Sequence, residues 1–438
     1  MEAARSDSTV VLLGTMDTKA AEYGFVRDRL RSNGLSTVVI DTGVLGEPGI
    51  EVDITREQVA IAAGTTLAEL VADHDRGRAV ARMAEGAAEV IMELLRAGRF
   101  AGALALGGTG GTSIAARALQ PIPIGVPKII VSTVAVGNTT PYVGNSDLVL
   151  FPSVVDIAGL NRVSSLILAN AADALTGMMQ AAPATGTGAP GNAGSGNAGT
   201  GNRQAIAASM FGVTTPCLDQ ARRLLDDAGY EVLVFHMTGI GGRTMERLID
   251  EGMIGGVLDA TTTELADELV GGVFSAGPER LTAAARARIP QVVSVGALDM
   301  VNFGAMDTVP AQFADRRLLV HNPTVTLMRT TPEECAELGR RLAERVSSTS
   351  APATVVLPLR GISAVSVEGG PFHDPEADRA LFDSIRTGLD RDRVDLVEVD
   401  TDINDPTVAR LMTDILSGYL PPQHRSTTDQ QTTIHSER

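Results

Sequence analysis

The chain predicts an α/β fold of two tandem Rossmann-like subdomains, each a doubly wound parallel sheet, related by internal duplication. Three observations carry this. Short runs rich in β-branched residues, such as TVVLL (9–13) and VPKIIVST (126–133), alternate with amphipathic helical stretches. Strands separated by helices pair in parallel through right-handed crossovers. The two halves repeat one plan, and the stretch between them, 181–203, is built almost wholly of Ala, Gly, Pro, Thr, Ser and Asn. Such a segment has no apolar face to bury and reads as a flexible linker.

Taken in order, TVVLL meets Gly14, a helical AAEYGFVRDRLRSNG (20–34) follows, and the strand STVVID (36–41) stops before Thr42 and Gly43. In the second half AIAASMF (205–211) meets Gly212, LDQARRLLDDAG (218–229) follows, and EVLVFHM (231–237) stops before Thr238 and Gly239. Further on, GVLDATTTE (256–264) stands in the place of GALALGGTGGT (102–112), and IPQVVSVG (289–296) in that of VPKIIVST. The expected domains are 1–180 and 204–421, with the linker at 181–203. The polar, aperiodic residues 422–438 are expected to form a disordered tail.

Composition narrows the function. A chain of 438 residues, 44% hydrophobic, buries large cores, and Lys+Arg 36 against Asp+Glu 53 leaves a formal charge of -17. That field repels nucleic acid and anionic membrane. With aromatics at 3% and no Trp, there is no platform for stacked bases or sugars. Cys217 and Cys335 form no disulfide framework and show no metal-ligand spacing, so no metal centre is expected and a reducing, cytoplasmic setting is. Cys217 reads as a buried small hydrophobe rather than a nucleophile. No 18-residue apolar run and no signal-like apolar segment occur, so no membrane partner is expected. Small-molecule chemistry remains.

Open parallel sheets bind ligands beyond the carboxyl ends of their strands, and three loops there carry chemistry. In GTMDTK, Gly14 permits a sharp turn, Thr15 and Thr18 offer hydroxyls, Asp17 a carboxylate and Lys19 a mobile charge for a phosphate beside a helix N-terminus. The run Gly107, Gly108, Thr109, Gly110, Gly111, Thr112, Ser113 strips side chains from the backbone so that successive N–H groups can wrap an anion. It is neither a GxxxxGK[ST] nor a complete GxGxxG pattern. A second ligand is expected at Gly241, Gly242, Arg243 and Thr244, where the arginine could grip a carboxylate or phosphate, and at the polar stretch holding Asn138, Thr139, Asn145, Asp147 and Asp156. Candidate acid and base groups are His236, His321, Glu368 and His373, with Asp299 and Asn302 as further pocket residues; His74 reads as solvated. For each loop the competing reading is a capped helix or a tight turn serving packing alone.

The stretches GTMDTKAAE, GGTGGTSIA, KIIVSTVAVGNTTPYVGNSDLVLFPSVVDIAGLN, VFHMTGIGGRTME and SVEGGPFHDPEAD together resemble a long-uncharacterised family of two-domain α/β proteins, the Tm-one-like ATP-binding proteins. That family is named for the ATP-binding N-terminal region of a plant tobamovirus-resistance protein. The resemblance covers residues 8 to 420 outside the linker. It implies ATP on the glycine-rich loops of the first subdomain, and dimerisation.

The leading expectation is an ATP-binding protein, an ATP-using enzyme acting on a small metabolite in the inter-domain cleft. Gly108, Gly110 and Gly111 would cradle phosphates, Lys19 would neutralise them, and Asp17 or Asp41 would hold ribose hydroxyls or Mg²⁺. A nucleotide-sensing regulatory module, and a nucleotide-independent carbonyl-cleaving or rearranging enzyme whose loops bind substrate phosphate or carboxylate, stand as alternatives. A homo-oligomer is expected.

Overall fold

The computed structural model describes residues 8–181 and 203–422, so the expected linker and tail, apart from their end residues, lie outside the described residues. The chain divides into two compact units, Met1–Gly188 and Ala189–Arg438.

The first unit runs β1 (Thr9–Gly14), α1 (Ala20–Ser32), β2 (Ser36–Asp41), α2 (Arg56–Ala62), α3 (Leu67–Ala72), α4 (Arg76–Arg96), β3 (Gly102–Gly107), α5 (Thr109–Leu119), β4 (Lys128–Ser132), α6 (Thr140–Val143), β5 (Val149–Pro152) and α7 (Arg162–Ala181). The five strands form one parallel sheet in the order β2-β1-β3-β4-β5. Val10 to Leu13 are buried on both faces, so β1 reads as an unbroken apolar run rather than an alternating one. Alternate residues feed two cores: Val11, Leu13, Ala103 and Ala105 pack with α4 and α5, while Val10, Leu12, Leu104 and Leu106 pack with α1 and α7.

This order places the topological switch between β1 and β3, because the chain leaves β1 for one edge and returns at β3 to build the other. The β1–β3 register runs from Val10↔Gly102 to Leu13↔Ala105. Beyond it the Tyr23 hydroxyl enters between the strands. It donates to the Leu13 carbonyl at 2.5 Å and accepts from the Leu106 N–H at 2.7 Å. A Cβ on Gly14 would lie 1.9 Å from that hydroxyl. Gly14 is therefore a packing glycine, and the crevice opens where the tyrosine parts the strand ends.

The second unit runs β6 (Ala205–Met210), α8 (Thr215–Asp227), β7 (Glu231–His236), α9 (Ile240–Asp250), β8 (Gly256–Thr261), α10 (Glu264–Val270), α11 (Ala283–Ala287), β9 (Gln291–Gly296), β10 (Met300–Phe303), β11 (Leu318–Asn322), β12 (Val325–Arg329), α12 (Pro332–Ser347), β13 (Ala353–Pro358), α13 (Pro375–Gly388), β14 (Val394–Val399) and α14 (Pro406–Tyr419). Its main sheet is parallel, β7-β6-β8-β9-β13-β14, the order of the first unit with one strand added. The duplicated plan thus holds strand for strand. The antiparallel sheet β10-β12-β11, inserted after β9, is not anticipated by the sequence pattern. Here the strand ends at the switch are bridged by short side chains: Thr261 N–H donates to Ser209 Oγ at 2.8 Å, and the Thr214 and Thr261 hydroxyls meet at 2.7 Å.

Candidate functional site

At the switch point of the first unit lies a cavity of about 820 Å³. Its floor is the β1 loop, Thr15, Asp17, Thr18 and Lys19, together with Gly108, Thr109, Gly110 and Gly111 after β3. Thr42 to Gly46 after β2 form one wall; Leu70, Val71, His74, Asp75, Arg76 and the α4 residues Ala79, Val80 and Met83 form the other. The sequence-predicted loops of residues 14–19 and 107–113 therefore meet in one place.

The glycine run is the start of α5, with Gly108 as its N-cap. Thr112 N–H makes the first helical bond, to Gly108 O at 2.8 Å. The N–H groups of Thr109, Gly110 and Gly111 have no partner among the described residues, and the helix dipole reinforces the positive potential there. The glycines differ in what demands them. A Cβ on Gly107 would lie 2.6 Å from the backbone of Gly111, so strand-to-helix packing fixes that residue. Cβ atoms on Gly108 and Gly110 would meet nothing closer than 3.8 and 3.9 Å, and neither residue has a left-handed φ. Neither fold nor backbone geometry requires glycine at 108 or 110. Both face the cavity.

Two cations line it. Lys19 Nζ donates to the Ile157 carbonyl at 2.5 Å, which brings the loop after β5 against α1. Exposed Arg76 begins α4, and its guanidinium lies 3.9 Å from where a Gly110 Cβ would stand, as does Val80 Cγ2. Arg76 has no ion pair among the described residues. Opposite lie two buried acceptors without hydrogen-bond partners among the described residues, Asp17 Oδ1 and Thr42 Oγ1. The other Asp17 oxygen accepts from Gly46 N–H at 3.2 Å. Carboxylate and hydroxyl oxygens of this kind fit a hard divalent cation shared with phosphate.

Several expected ligand groups turn inward. Asp41 is buried and does not line the cavity: Oδ1 accepts from Met16 N–H at 2.9 Å and Gly43 N–H at 2.8 Å, and Oδ2 from Arg56 Nε at 2.7 Å. It neutralises the buried Arg56 and ties down the Thr42–Gly46 segment. The Thr112 hydroxyl bonds Gly107 O and Ser132, and that of Ser113 bonds Thr109 O. Asp147 pairs with wholly buried Lys128, Asn138 accepts from Thr140 N–H, Thr139 stands at the N-cap of the short α6 without a side-chain capping bond, and Asp156 accepts from Ile157 N–H; none of these, nor Asn145, lines the cavity.

In the second unit the expected anion loop is closed by the chain itself. Gly241, Gly242, Arg243 and Thr244 form the first turn of α9, not a free loop. Glu264 Oε1 accepts from Gly239 N–H at 2.7 Å and Gly242 N–H at 3.1 Å, while Arg243 donates to Ser275 O. A Cβ would lie 1.8 Å from His236 O at Gly241 and 1.9 Å from Glu264 Oε2 at Gly242. Buried Arg280 then binds Glu264, Asp259 and Glu246, and Glu246 closes the N-terminus of α11 through Leu281, Thr282 and Ala283. The carboxylates of DATTTE thus belong to an internal ion-pair network, and its hydroxyls bond inward, Thr261 with Thr214, Thr262 to Ser294 O and Thr263 with Asn302 Nδ2.

Among the described residues the candidate acid and base groups make no hydrogen bond or ion pair to one another. His236, at the exposed end of the edge strand β7, meets the Phe211 ring edge-on at 5.6 Å; His321 is exposed on β11, Glu368 is exposed, and half-buried His373 has Nδ1 3.4 Å from Ser366 O. Asp299 is wholly buried, accepts from the Ser363 hydroxyl at 2.7 Å, and is pushed up to about 6 by burial. Burial likewise pushes the thiols of Cys217 to about 12 and Cys335 to about 11. Among the described residues no group of three or more His, Cys, Asp or Glu side chains could hold a metal ion, and no helix is long and apolar enough to cross a membrane.

Sequence reasoning missed Thr42, His74 and Arg76. For Arg76 no local signal existed: its helix start already has the chain's own anions, the N-cap Asp75 and Asp73, which pairs with Arg78.

The chain matches the models of the uncharacterised protein family UPF0261, N-terminal domain over residues 8–184 and C-terminal domain over 203–420. A UPF0261 protein of Clostridium tetani is 46% identical, covering 92% of this chain and 96% of its own. The tomato ToMV resistance protein Tm-1(GCR237) and ToMV susceptible protein tm-1(GCR26) are each 38% identical over 94% of this chain and 56% of theirs. Among solved structures, a Streptomyces glycosyltransferase aligns with 93% of this chain and 99% of its own at 13% identity and a TM-score of 0.18, too slight a likeness to bear on fold or function.

Proposed function

Because the chain belongs to the UPF0261 family, with the cavity in its N-terminal family domain, we propose that this domain binds a nucleoside triphosphate, ATP in the first instance, and uses it on a small metabolite. One observation carries the reading: glycines at 108 and 110 that neither packing nor φ explains, at the open N-terminus of a helix facing a cavity. Phosphate oxygens would accept from the N–H groups of Thr109, Gly110 and Gly111. Lys19 would leave the Ile157 carbonyl for a phosphate, and Arg76 would approach from the opposite wall. Asp17 and Thr42 would hold Mg²⁺, which supplies charge neutralisation between phosphates. Asp41 and Arg56 position the wall and touch no ligand.

The absence of any hydrogen bond or ion pair among His236, His321, Glu368 and His373 in the described residues favours a second reading, nucleotide sensing without turnover. The virus phenotypes in the tomato names are not carried over, since a resistant and a susceptible protein are equally similar and this chain spans 56% of their length.

Calorimetric titration of ATP, with and without Mg²⁺, into the wild type and Gly110→Val tests the binding reading. The variant has room to fold, and the expected result is wild-type binding that weakens at least about tenfold, ~1.4 kcal/mol. Equal affinity in both proteins, or none in the wild type, would refute it. Turnover assays on the binding-competent protein then separate enzyme from sensor.

A further inference from the structure

We propose that residues 64–75, the α3 arm, form a lid that closes over this cavity on phosphate binding and carries His74 and Arg76 onto the ligand; the proposal rests on the anion-site reading above.

Four observations support it. First, the arm is tied to the body by very little. From Ile61 to Arg78 only Leu70 is buried. The hydrogen bonds and ion pairs of residues 66–78 stay local among the described residues: Thr65 and Thr66 with Glu69, Asp73 with Arg78, Asp75 with Arg78. Segments with few buried contacts and only local bonds open and close at low cost.

Second, a left-handed residue stands at each end, Gly64 at φ 69° and His74 at φ 50°. Backbone direction changes sharply at both, and a few terminal residues of this kind can absorb the rotation of a closing segment.

Third, the arm borders two adjoining spaces. Leu70 lines the phosphate cavity, Leu67, Ala68 and Ala72 line an apolar groove of about 850 Å³, and Val44, Leu45, Val71 and His74 line both. Across that groove lie Leu45 and Ile61, 84% and 67% exposed. Two large apolar side chains left in water beside a weakly held amphipathic helix have a ready cover, and its inward movement would bury them.

Fourth, the residue after the arm is Arg76, without an ion pair among the described residues, whose guanidinium lies 3.9 Å from where a Gly110 Cβ would stand. Closure shortens that approach, and an anion on the α5 N-terminus repays it electrostatically.

The test is hydrogen–deuterium exchange on the full chain with ATP and Mg²⁺, and separately with inorganic triphosphate, on the wild type and Ile61→Glu. Ile61 does not line the phosphate cavity, and a charge there keeps the groove wet. The expected result is slowing of amides in both 107–113 and 66–76 by at least about fivefold in the wild type, with the 66–76 slowing lost and affinity several-fold weaker in Ile61→Glu. Slowing at 107–113 with 66–76 unchanged would overturn the lid and leave the anion site standing. Slowing at 66–76 that survives in Ile61→Glu would overturn the role of the groove in closure. No slowing at either segment would remove the anion site and the lid together.

Discussion

Replacing Arg280 with Met tests the claim that the second unit has filled its own anion position. The Arg280 guanidinium is wholly buried and donates to both Asp259 oxygens at 2.6 and 2.8 Å, to Glu264 at 2.7 Å and to Glu246 at 3.3 Å. Removing it affects the three carboxylates unequally. Glu264 keeps the N–H groups of Gly239 and Gly242, and Glu246 keeps those of Leu281, Thr282 and Ala283. Asp259, 1% exposed, loses both side-chain donors. A carboxylate stranded in this way costs about 3–5 kcal/mol, or two to four powers of ten in the local folding constant. Exchange of the β8 and β9 amides reads this unit by itself. Arg280→Met/Asp259→Leu removes charge and partner together and is expected to recover at least about 2 kcal/mol of the loss. A loss under about 1 kcal/mol, or a double variant no better than the single one, would refute the reasoning.

Two further outcomes are expected. Burial pushes Asp267 up to about 7, against donors Asn302 N–H, Asn302 Nδ2 and Phe274 N–H. Its folded value lies above the unfolded one of about 3.9, so the native state holds a proton the unfolded chain has lost, and this contribution to stability falls as pH rises from about 4 through about 7, by up to ~4 kcal/mol. Melting of the second unit across that range should flatten in Asp267→Asn; an unchanged slope would refute it. In the first unit, Tyr23→Phe leaves the buried Leu106 N–H and Leu13 carbonyl without their shared hydroxyl and should cost about 1–3 kcal/mol by denaturant unfolding; a neutral result would show that the strand ends close on each other instead.

The sheets were legible because strands buried on both faces write themselves as unbroken apolar runs, and the duplication because those runs recur at matching places. The start of α5 was not legible: the glycine run reads as a loop ahead of a helix at SIAARAL, whereas it forms the first turn of the helix. Partners distant in sequence were not: nothing local tells Asp41 that Arg56 lies beside it, or Gly242 that Glu264 will occupy its N–H. TGIGGRT and GGTGGTS look like equivalent anion loops as strings, and only packing shows that one is closed by a carboxylate and the other is open. Tyr23 reads as an ordinary core position of an amphipathic helix, although its hydroxyl parts two strands. The β10–β12 insertion escaped because short apolar runs without helical spacers resemble loop fragments.

Glu264 begins α10 as Thr109 begins α5, after the third strand of each sheet. One half therefore carries a carboxylate of its own chain at a helix N-terminus, whereas the site proposed in the other would draw its anion from solution. A tethered ligand cannot be diluted, so at fixed pH the melting of the second unit should not respond to an anion added for that position. The first unit gains RT ln(1 + [L]/Kd) from any anion it accepts. A single heating curve should then contain its own reference: of two transitions in one chain, the one that climbs with added ligand reports occupancy, and the one that stays still calibrates it.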